Sequence, residues 1–509
     1  MQDATPIAWW QTQRATVLLA VAAAVPLCWT TIPWLTDVPA HVARFHIQQT
    51  IGQSPELAGH FDFTWRLIPN LGVDLLVVPL GKLFGLLPAV TIVTALIPAL
   101  TVLGIFAVVR AVHGRITTIS LFALPLAHSY PFQFGFLNSC LSVALALLVF
   151  ALWLRSGQGR RIAVAAVAAP LLIVTHAIGW GVLGVLIGGA TIATLWQERA
   201  RPAAWVRQGG GTVLPLLWPL AILIAWRGDS HNAIGLWFDW RNDLIWLAGM
   251  LRDRWIALDV TATITVLAAA TLPVWRSRRF AYVPVIVVPA AILAILSLAM
   301  PNELLGSMFA ATRLIPVAVM LAILAVCEMR PLPRWISWIA LALFAARLIS
   351  VTTSQLAAEH TAQTQIAALD RLPRGARVMA LVREHCEQRW QLPRLWHLPS
   401  VATIRRDALV NDLFAAPGQL LSVRDRTGSN WWTLQGQAVP RQGCRRGQWP
   451  VFDDLLTRVP WRDIDYLWIL NSDRDRIRRD HPVTLVWNNG RTQLYRVDHR
   501  GDASVVRQR

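Results

Sequence analysis

The chain has 509 residues, of which 55% are hydrophobic and only 15% are charged, and its formal net charge is +18. Because soluble globular proteins carry about 25% charged residues, this composition argues against an ordinary soluble protein and indicates a membrane protein. The positive charge does not indicate nucleic-acid binding, because the arginines lie mostly between apolar segments and in the C-terminal part. We therefore expect no nucleic-acid partner.

Apolar runs follow one another from about Ala15 to Val351, separated by short polar or basic loops. A helix needs roughly 20 apolar residues to cross a bilayer, and a spanning segment must satisfy its own backbone hydrogen bonds. We predict a polytopic α-helical membrane domain over residues 1–352, with about 11 spans. Arg14 precedes the first run, over residues 15–34, but no small-residue cleavage site follows it. We therefore expect a retained span rather than a signal peptide.

Clusters of arginine orient the predicted spans. They are Arg110/Arg115, Arg155/Arg160/Arg161, Arg199/Arg201/Arg207, Arg276/Arg278/Arg279 and Arg330/Arg334. The positive-inside rule places them in the cytoplasm, which makes the first loop (35–72) and the C-terminal part periplasmic in a bacterial inner membrane. An odd number of crossings must follow that loop. Residues 73–86 are therefore predicted as a juxtamembrane or re-entrant helix and 89–109 as the second span.

The composition becomes that of a soluble domain from Thr353 onward. A polar helical connector over 355–370 is followed by segments typical of strands at Arg377–Val382, Tyr466–Leu470 and 483–497, the last with a turn at Asn488-Asn489-Gly490. We predict a periplasmic soluble α/β domain over 353–509. Its two cysteines, Cys386 and Cys444, are expected to form a disulfide in that compartment or to remain two unpaired thiols.

Asp37 follows the first predicted span in the stretch Thr-Asp-Val-Pro-Ala-His-Val-Ala-Arg. Asp37, His41 and Arg44 are spaced i, i+4 and i+7, so a helix that starts at Pro39 places them on one face. One interpretation is structural, with Asp37 capping a juxtamembrane helix. The other is catalytic, with the Asp37 carboxylate acting as a general base at the membrane surface and with His41 and Arg44 orienting it or binding substrate.

Further polar residues gather at the same predicted periplasmic face. Arg313 is predicted about two turns inside a span, where an arginine needs an anionic partner; that partner is a lipid-linked phosphate or Glu303, unless the side chain reaches the interface. His176 either binds phosphate or caps a helix turn. Lys82 either reaches a phosphate or anchors the chain at the interface. Two loop residues, Arg66 and Asn138, complete the candidate substrate-binding set.

Metal and nucleotide chemistry find no support in the sequence. Asp37 and His41 are too few ligands for a metal site, and no HExxH or paired-cysteine motif is present. There is no Walker A motif, no GxSxG and no glycine-rich dinucleotide loop after a strand. We expect no metal and no cofactor.

The chain resembles the GT-C superfamily of integral-membrane glycosyltransferases, which includes bacterial relatives of protein O-mannosyltransferases and lipid A aminoarabinose transferases. The resemblance rests on Asp37 after the first span, the large first loop, the many spans and the C-terminal domain. It implies a catalytic or acceptor-binding role for Asp37. It also implies a polyprenyl-phosphate-linked sugar as donor, basic residues that hold its phosphate, and a membrane lipid or glycan as acceptor.

The chain departs from better-known members of that superfamily at three places. Val38 replaces the second carboxylate of an Asp-Glu pair, a His-Pro-Pro-Leu-Gly-Lys-like stretch is reduced to its last four residues ending at Lys82, and Trp431-Trp432 is followed by Thr433 rather than aspartate. The last departure argues against transfer of oligosaccharide to asparagine. Two alternatives stay open: a transporter or flippase of a lipid-linked glycan, and a non-catalytic scaffold for envelope assembly.

Overall fold

The computed structural model describes residues 8–227, 237, 240–304, 307–385, 390–415, 419–424, 430–432, 441–442, 452–472, 477 and 481–499. Several residues of interest in the sequence lie outside the described residues: Asp229, His231, Asn232, Asp239, Cys386, Thr433 and Cys444. The predicted disulfide between Cys386 and Cys444 therefore stays a prediction.

The described chain is mostly helical. In chain order the α-helices are α1 (Gln13–Ala24), α2 (Val38–Thr50), α3 (Pro55–His60), α4 (Gly72–Phe84), α5 (Leu86–His113), α6 (Tyr130–Phe134), α7 (Leu137–Arg155), α8 (Gln158–Thr175), α9 (Ala177–Gln197), α10 (Pro202–Ala204), α11 (Gly210–Leu217), α12 (Leu220–Arg227), α13 (Trp240–Ala248), α14 (Ile256–Trp275), α15 (Pro284–Ala299), α16 (Ile315–Leu324), α17 (Arg334–Ile366), α18 (Val401–Arg406) and α19 (Phe452–Arg458).

The strands are short by comparison. They are β1 (Phe61–Phe63), β2 (Phe280–Tyr282), β3 (Glu303–Leu304), β4 (Ser307–Met308), β5 (Val326–Glu328), β6 (Arg377–Val382), β7 (Glu384–His385), β8 (Leu409–Val410), β9 (Leu421–Val423), β10 (Arg441–Gln442), β11 (Tyr466–Leu470), β12 (Val483–Asn488) and β13 (Gln493–Val497).

The chain divides into two compact units. Unit 1 comprises Met1–Trp29, Leu67–Pro79 and Pro88–Gln355, and unit 2 comprises Thr30–Arg66, Leu80–Leu87 and Leu356–Arg509. The sequence analysis divides the chain once, between 352 and 353. Nothing in the sequence indicated that most of the first loop groups with the C-terminal part.

Among the described residues, six helical segments are long and apolar enough to cross a membrane, by length and composition: α5, α7, α8, α9, α14 and Arg334–Arg371. Three shorter apolar segments are Gln13–Leu27, Pro284–Ala299 and Ala311–Leu324. A multi-pass membrane protein is therefore confirmed, whereas the predicted number of about 11 spans stays a prediction.

Several apolar runs are broken into pieces shorter than a span. Residues Ile119–His128 form a 3-10 helix that contains Pro125, and a π turn at Trp205–Gly209 precedes α11. The sequence predicts a first span over 15–34, but α1 ends at Ala24 and a 3-10 turn continues it only to Leu27. Pro26 explains this end, because proline has no N–H to donate within an α-helix.

Other helices follow the prediction closely. The ambiguous region after the first loop forms α4 and then the long helix α5, and α8 and α9 are two helices separated by His176 alone. The predicted last span and polar connector are one continuous helix, α17. This continuity is possible because no proline or glycine occurs in Arg334–Ile366.

Unit 1 has one large apolar core. Helices α9 and α15 approach closely at Gly189, where a Cβ atom would lie 2.9 Å from the backbone nitrogen of Pro289. A larger residue at this position would therefore force the two helices apart.

A buried polar network also lies within unit 1. Arg347 of α17 pairs with Asp259 of α14 at 3.2 Å, with both side chains almost fully buried. The same guanidinium donates a 2.6 Å hydrogen bond to the carbonyl of His128, and Asp253 accepts hydrogen bonds from Ser350 and Ser354. The sequence analysis does not single out Arg347, Asp253 or Asp259.

Unit 2 contains a five-stranded sheet of order β12-β13-β11-β6-β8. Strand β11 lies parallel to β6 and antiparallel to β13, and β6 lies parallel to β8. The strands predicted at Arg377–Val382 and Tyr466–Leu470 are confirmed. So is the hairpin of β12 and β13, whose turn is held by a 2.8 Å hydrogen bond from the backbone N–H of Gly490 to the side chain of Asn488.

The first loop supplies a strand and a helix to unit 2. Strand β1 pairs antiparallel with β9, with Phe61 opposite Val423 and Phe63 opposite Leu421. Helix α2 begins directly after Asp37 and buries Phe45 and Ile47. The chain that carries Asp37 is therefore held by residues far away in the sequence.

Candidate functional site

Asp37 occupies the N-cap position of α2, as the sequence predicts, but its side chain makes no capping hydrogen bond. Its backbone angles, φ −87° and ψ −11°, are those of a helical residue, whereas a capping residue is typically extended. The interpretation of Asp37 as a side-chain cap is therefore wrong.

The Asp37 carboxylate lies beside an imidazole of the C-terminal part. Oδ1 of Asp37 is 3.7 Å from Nε2 of His397, and Nδ1 of His397 is 2.7 Å from Oδ1 of Asp412. The first distance is that of an ion pair rather than a hydrogen bond, and the second is that of a charge-assisted hydrogen bond. One imidazole thus lies between two carboxylates.

Burial and hydrogen bonding fix the imidazole and Asp412. Ser400 donates to Asp412 through both its backbone N–H (3.2 Å) and its hydroxyl (3.1 Å). Burial alone would lower the pKa of His397, but the charge and hydrogen bonds of Asp412, together with the charge of Asp37, raise that pKa to about 9. His397 is therefore a cation at neutral pH.

His41 joins the same cluster through Phe414. The ring centroid of Phe414 lies 4.9 Å from that of His41 and 5.1 Å from that of His397. Arg44, the third residue of the predicted face, is buried, with its Cζ 4.9 Å above the ring of Phe45.

The segment before Asp37 is held by two contacts that the sequence analysis missed. Arg394 donates a 2.7 Å hydrogen bond to the carbonyl of Trp34, and the indole N–H of Trp34 donates to Glu359 at 2.7 Å. No motif marks Arg394, His397, Asp412 or Glu359 in the sequence, so only their position in the fold reveals them.

In unit 1 the structure brings together two further predicted residues, Arg313 and His176. Nη1 of Arg313 lies 3.3 Å from Nε2 of His176, and Cζ of Arg313 lies 4.1 Å above the ring of Phe136. The predicted location two turns inside a span is wrong, because Arg313 ends the short 3-10 turn Ala311–Arg313 before α16. Pro316, in the first turn of α16, fits a helix that starts there.

The His176 ring receives more donors than it can satisfy. Its Nδ1 accepts a 3.0 Å hydrogen bond from the backbone N–H of Ile178, which caps α9, while Arg313 approaches Nε2. A neutral imidazole has one acceptor nitrogen, because the other carries hydrogen. With Nδ1 accepting, Nε2–H and the Arg313 N–H groups point toward one another. An anionic oxygen is an acceptor that both groups can bind.

A cavity of about 40 Å³ lies next to this pair within unit 1. Its lining includes Arg313, Ser129, Ser139 and Cys140. The rest of the lining is mostly apolar, so the space beside the guanidinium is small and mainly apolar.

The remaining predicted residues have other surroundings. Asn138 is buried and bonds to the backbone: its Oδ1 accepts from Val73 N at 2.6 Å and its Nδ2 donates to Asn70 O at 3.1 Å. This gives Asn138 a structural role at the start of α4. Arg66 is exposed at the end of the first loop, and Lys82 is exposed on α4.

The described part of the chain contains no group of three or more His, Cys, Asp or Glu residues placed to hold a metal ion. The arrangement in unit 2 is a carboxylate with a cationic neighbour, and the arrangement in unit 1 is a pair of donors. The first suits proton transfer and the second suits binding of an anion.

The sequence matches no family model, and no curated protein sequence is significantly similar to it. Solved structures are similar in fold. The crystal structure of ArnT from Cupriavidus metallidurans bound to undecaprenyl phosphate matches with a TM-score of 0.50 and 12% identity, covering 95% of this chain and 98% of that one. The structure of the same protein in the apo state matches with a TM-score of 0.47 and 12% identity, covering 94% and 96%. The fold of the chain is therefore similar to that of ArnT, a protein of the lipid A aminoarabinose transferase group that its sequence resembles.

Proposed function

We propose that this protein is a membrane glycosyltransferase that moves one sugar from a polyprenyl-phosphate donor to a lipid or glycan acceptor. The reaction takes place on the periplasmic side of a bacterial inner membrane, as the arginine clusters of the loops favour. Asp37 is the general base. Arg313 and His176 hold the donor phosphate.

The observation that carries this proposal is the meeting of Arg313 and His176. Their N–H groups lie beside each other, and a phosphate oxygen is an acceptor that both can bind. The ArnT structure with the same fold was solved with undecaprenyl phosphate bound. A lipid-linked phosphate therefore fits both the chemistry of the pair and the fold.

The reaction is a direct displacement at the anomeric carbon. The acceptor oxygen forms a bond to that carbon while the bond from the carbon to the phosphate oxygen breaks, and polyprenyl phosphate leaves with the electron pair. Asp37 takes the proton of the acceptor hydroxyl. Attack and departure on opposite faces invert the configuration of the sugar.

Charge stabilisation is the second contribution. Negative charge grows on the phosphate as it leaves, and preorganised donors at that point lower the barrier. Arg313 supplies a permanent positive charge, and Phe136 beneath the guanidinium limits its orientations. His41 and Arg44, on the helix that Asp37 begins, bind acceptor. Lys82 and Arg66, both exposed, are further substrate-binding residues.

The test is transfer of a labelled sugar from a polyprenyl-phosphate donor in membranes that contain wild type or Asp37→Asn. Loss of a general base lowers the rate by about 10²–10⁴-fold. Asp62→Asn is the matched control, because Asp62 lies in the same loop but is exposed and paired with exposed Arg424. Equal rates for wild type and Asp37→Asn would remove Asp37 from this role.

The same membranes distinguish the flippase alternative. Movement of the lipid-linked sugar across sealed vesicles, without formation of any new glycosidic bond, would favour a transporter and contradict the transferase. Lack of both activities would favour the scaffold.

A further inference from the structure

His397 presents one ring nitrogen to each of two carboxylates. Nδ1 faces Asp412 at 2.7 Å and Nε2 faces Asp37 at 3.7 Å. A neutral imidazole has one N–H and can serve one acceptor, whereas the doubly protonated ring serves both. The geometry by itself therefore favours an imidazolium between the two carboxylates, the reverse of the arrangement at His176.

The three side chains are fixed and shielded from solvent. The exposed fractions are 6% for His397, 2% for Asp412 and 11% for Asp37. Ser400 anchors Asp412 by two hydrogen bonds, and Phe414 packs against the His397 ring. Salt screens buried charges much less than exposed ones. The attraction between the imidazolium and the Asp37 carboxylate is therefore only weakly screened.

We propose that His397, anchored by Asp412, is a positioning residue that orients the Asp37 carboxylate and keeps it ionised. This inference rests on the proposed function for its catalytic meaning, since it is there that Asp37 must be ionised to accept a proton. The contact itself does not depend on which sugar or acceptor is used.

Three titratable side chains of the described residues lie around the His397 ring. Asp37 lies beside the ring at the start of α2, and Asp412 lies beside it in the residues after β8. His41 of α2 packs against Phe414, whose ring also packs against His397. Removal of the imidazolium would leave Asp37 and Asp412 as neighbouring like charges, and Asp37 would then become protonated at higher pH.

The first measurement reads Asp37 directly. The infrared carboxyl signal of Asp37, isolated by difference against Asp37→Asn, is titrated in the purified full chain. In His397→Gln the pH at which Asp37 becomes protonated rises by about one to three pH units relative to wild type. Asp412→Asn, which keeps the ring and its charge at the acidic pH where a carboxylate titrates, does not show this rise.

The second measurement is the pH profile of sugar transfer. The acidic limb of His397→Gln moves to higher pH by the same amount as the infrared titration, so the variant loses more activity at pH 6 than at pH 8. A merely structural role would lower the rate equally at all pH values. His60→Gln is the matched control, because His60 lies in the same unit and bonds to the backbone carbonyl of Gly375. Its profile stays that of wild type.

The outcomes separate the two proposals. An Asp37 titration that is unchanged in His397→Gln overturns the positioning role, whatever the transfer activity. If the Asp37 titration shifts in His397→Gln but the acidic limb of the pH profile of sugar transfer does not move, the positioning role is also overturned. The proposed transferase activity is then unaffected. A shifted titration in a protein without any transfer activity overturns the proposed function and supports the control of Asp37 by His397.

Discussion

Arg313 and His176 lie 3.3 Å apart although 137 residues separate them in the chain. The two residues stand at comparable points, His176 just before α9 and Arg313 just before α16. The pair therefore brings side-chain N–H groups together at the starts of two helices.

Replacement of Arg313 should weaken binding of a polyprenyl phosphate. A hydrogen bond to a charged group is worth about 1.5–3 kcal/mol, so Arg313→Ala is expected to raise the Kd by roughly 10- to 100-fold. Arg313→Lys keeps the charge but loses the planar two-pronged geometry. Its Kd should lie between those of wild type and Arg313→Ala. Binding to the detergent-solubilised protein, followed by intrinsic tryptophan fluorescence, measures this.

Arg278→Ala is the control for that experiment, because Arg278 is exposed between α14 and β2. Wild-type affinity in Arg313→Ala would contradict the phosphate site.

Stability should fall at alkaline pH because of His397. Burial opposes the charge, but Asp412 and Asp37 raise the pKa of His397 from 6.5 to about 9. The stabilisation, about 3 kcal/mol, is fully present below pH 6.5 and is lost as the pH rises through 9. The unfolding temperature of wild type should therefore drop between pH 7 and pH 10.

Asp412→Asn tests the cause of that drop. Without the Asp412 charge the pKa of His397 moves back toward its ordinary value, so this variant is less stable at pH 7 and depends less on pH between 7 and 10. Differential scanning fluorimetry in detergent follows both proteins. An alkaline drop of equal size in both would show that another group is responsible.

Substitutions of Arg347 and Asp259, which form an ion pair, should have strongly non-additive effects on the free energy of unfolding. Both side chains are almost fully buried, so Arg347→Met leaves a carboxylate without its cation and should cost about 3–5 kcal/mol. Asp259→Asn should cost a similar amount. The double variant removes both charges of the pair and should cost clearly less than the sum. A double-mutant cycle of unfolding temperatures measures the coupling, and additive effects would contradict a net contribution of the pair.

Gly72 should not tolerate a side chain. A Cβ atom there would lie 2.4 Å from Cγ2 and 3.1 Å from Cα of Thr175, the residue before His176. Gly72→Ala is therefore expected to cost about 1–3 kcal/mol and to weaken polyprenyl-phosphate binding, because it displaces the chain at His176.

The matched control is Gly181→Ala in α9, where a Cβ atom meets nothing within 4 Å. Alanine is the better helix former by about 1 kcal/mol, so this variant should be as stable as wild type or more so. A Gly72→Ala protein with wild-type melting temperature would show that α4 and α8 can move apart freely.

The sequence analysis is most successful where one pattern decides the structure. Continuous apolar runs predict α5, α7, α8 and α9, and short apolar runs predict β6 and β11. It fails where prolines and local turns divide an apolar run, as at Pro26 and in Ile119–His128. Hydropathy averages over such breaks, so the length of a run overstates the length of the helix.

The sequence indicates some residues of the candidate site and gives no signal for others. Asp37 stands out because a carboxylate directly after an apolar run is unusual, and Arg313 because an arginine near a span is costly. His397 and Asp412 lie among many charged residues of a basic domain, where one histidine or aspartate carries no signal. Their meaning comes from a tertiary contact with Asp37, and no pattern within a single segment records such a contact.

Unit 2 is built from stretches at opposite ends of the chain, and this sets an order on its formation. The carbonyl of Trp34 can accept its hydrogen bond only after Arg394, 360 residues later, has been synthesised. Asp37 can likewise contact His397 only after that residue has been made. Closing such distant contacts is slow, and a ribosome makes α2 long before its partners exist. We therefore expect chains cut short before Arg394 to keep their apolar helices but never to form the contacts of Trp34 with Arg394 and of Asp37 with His397.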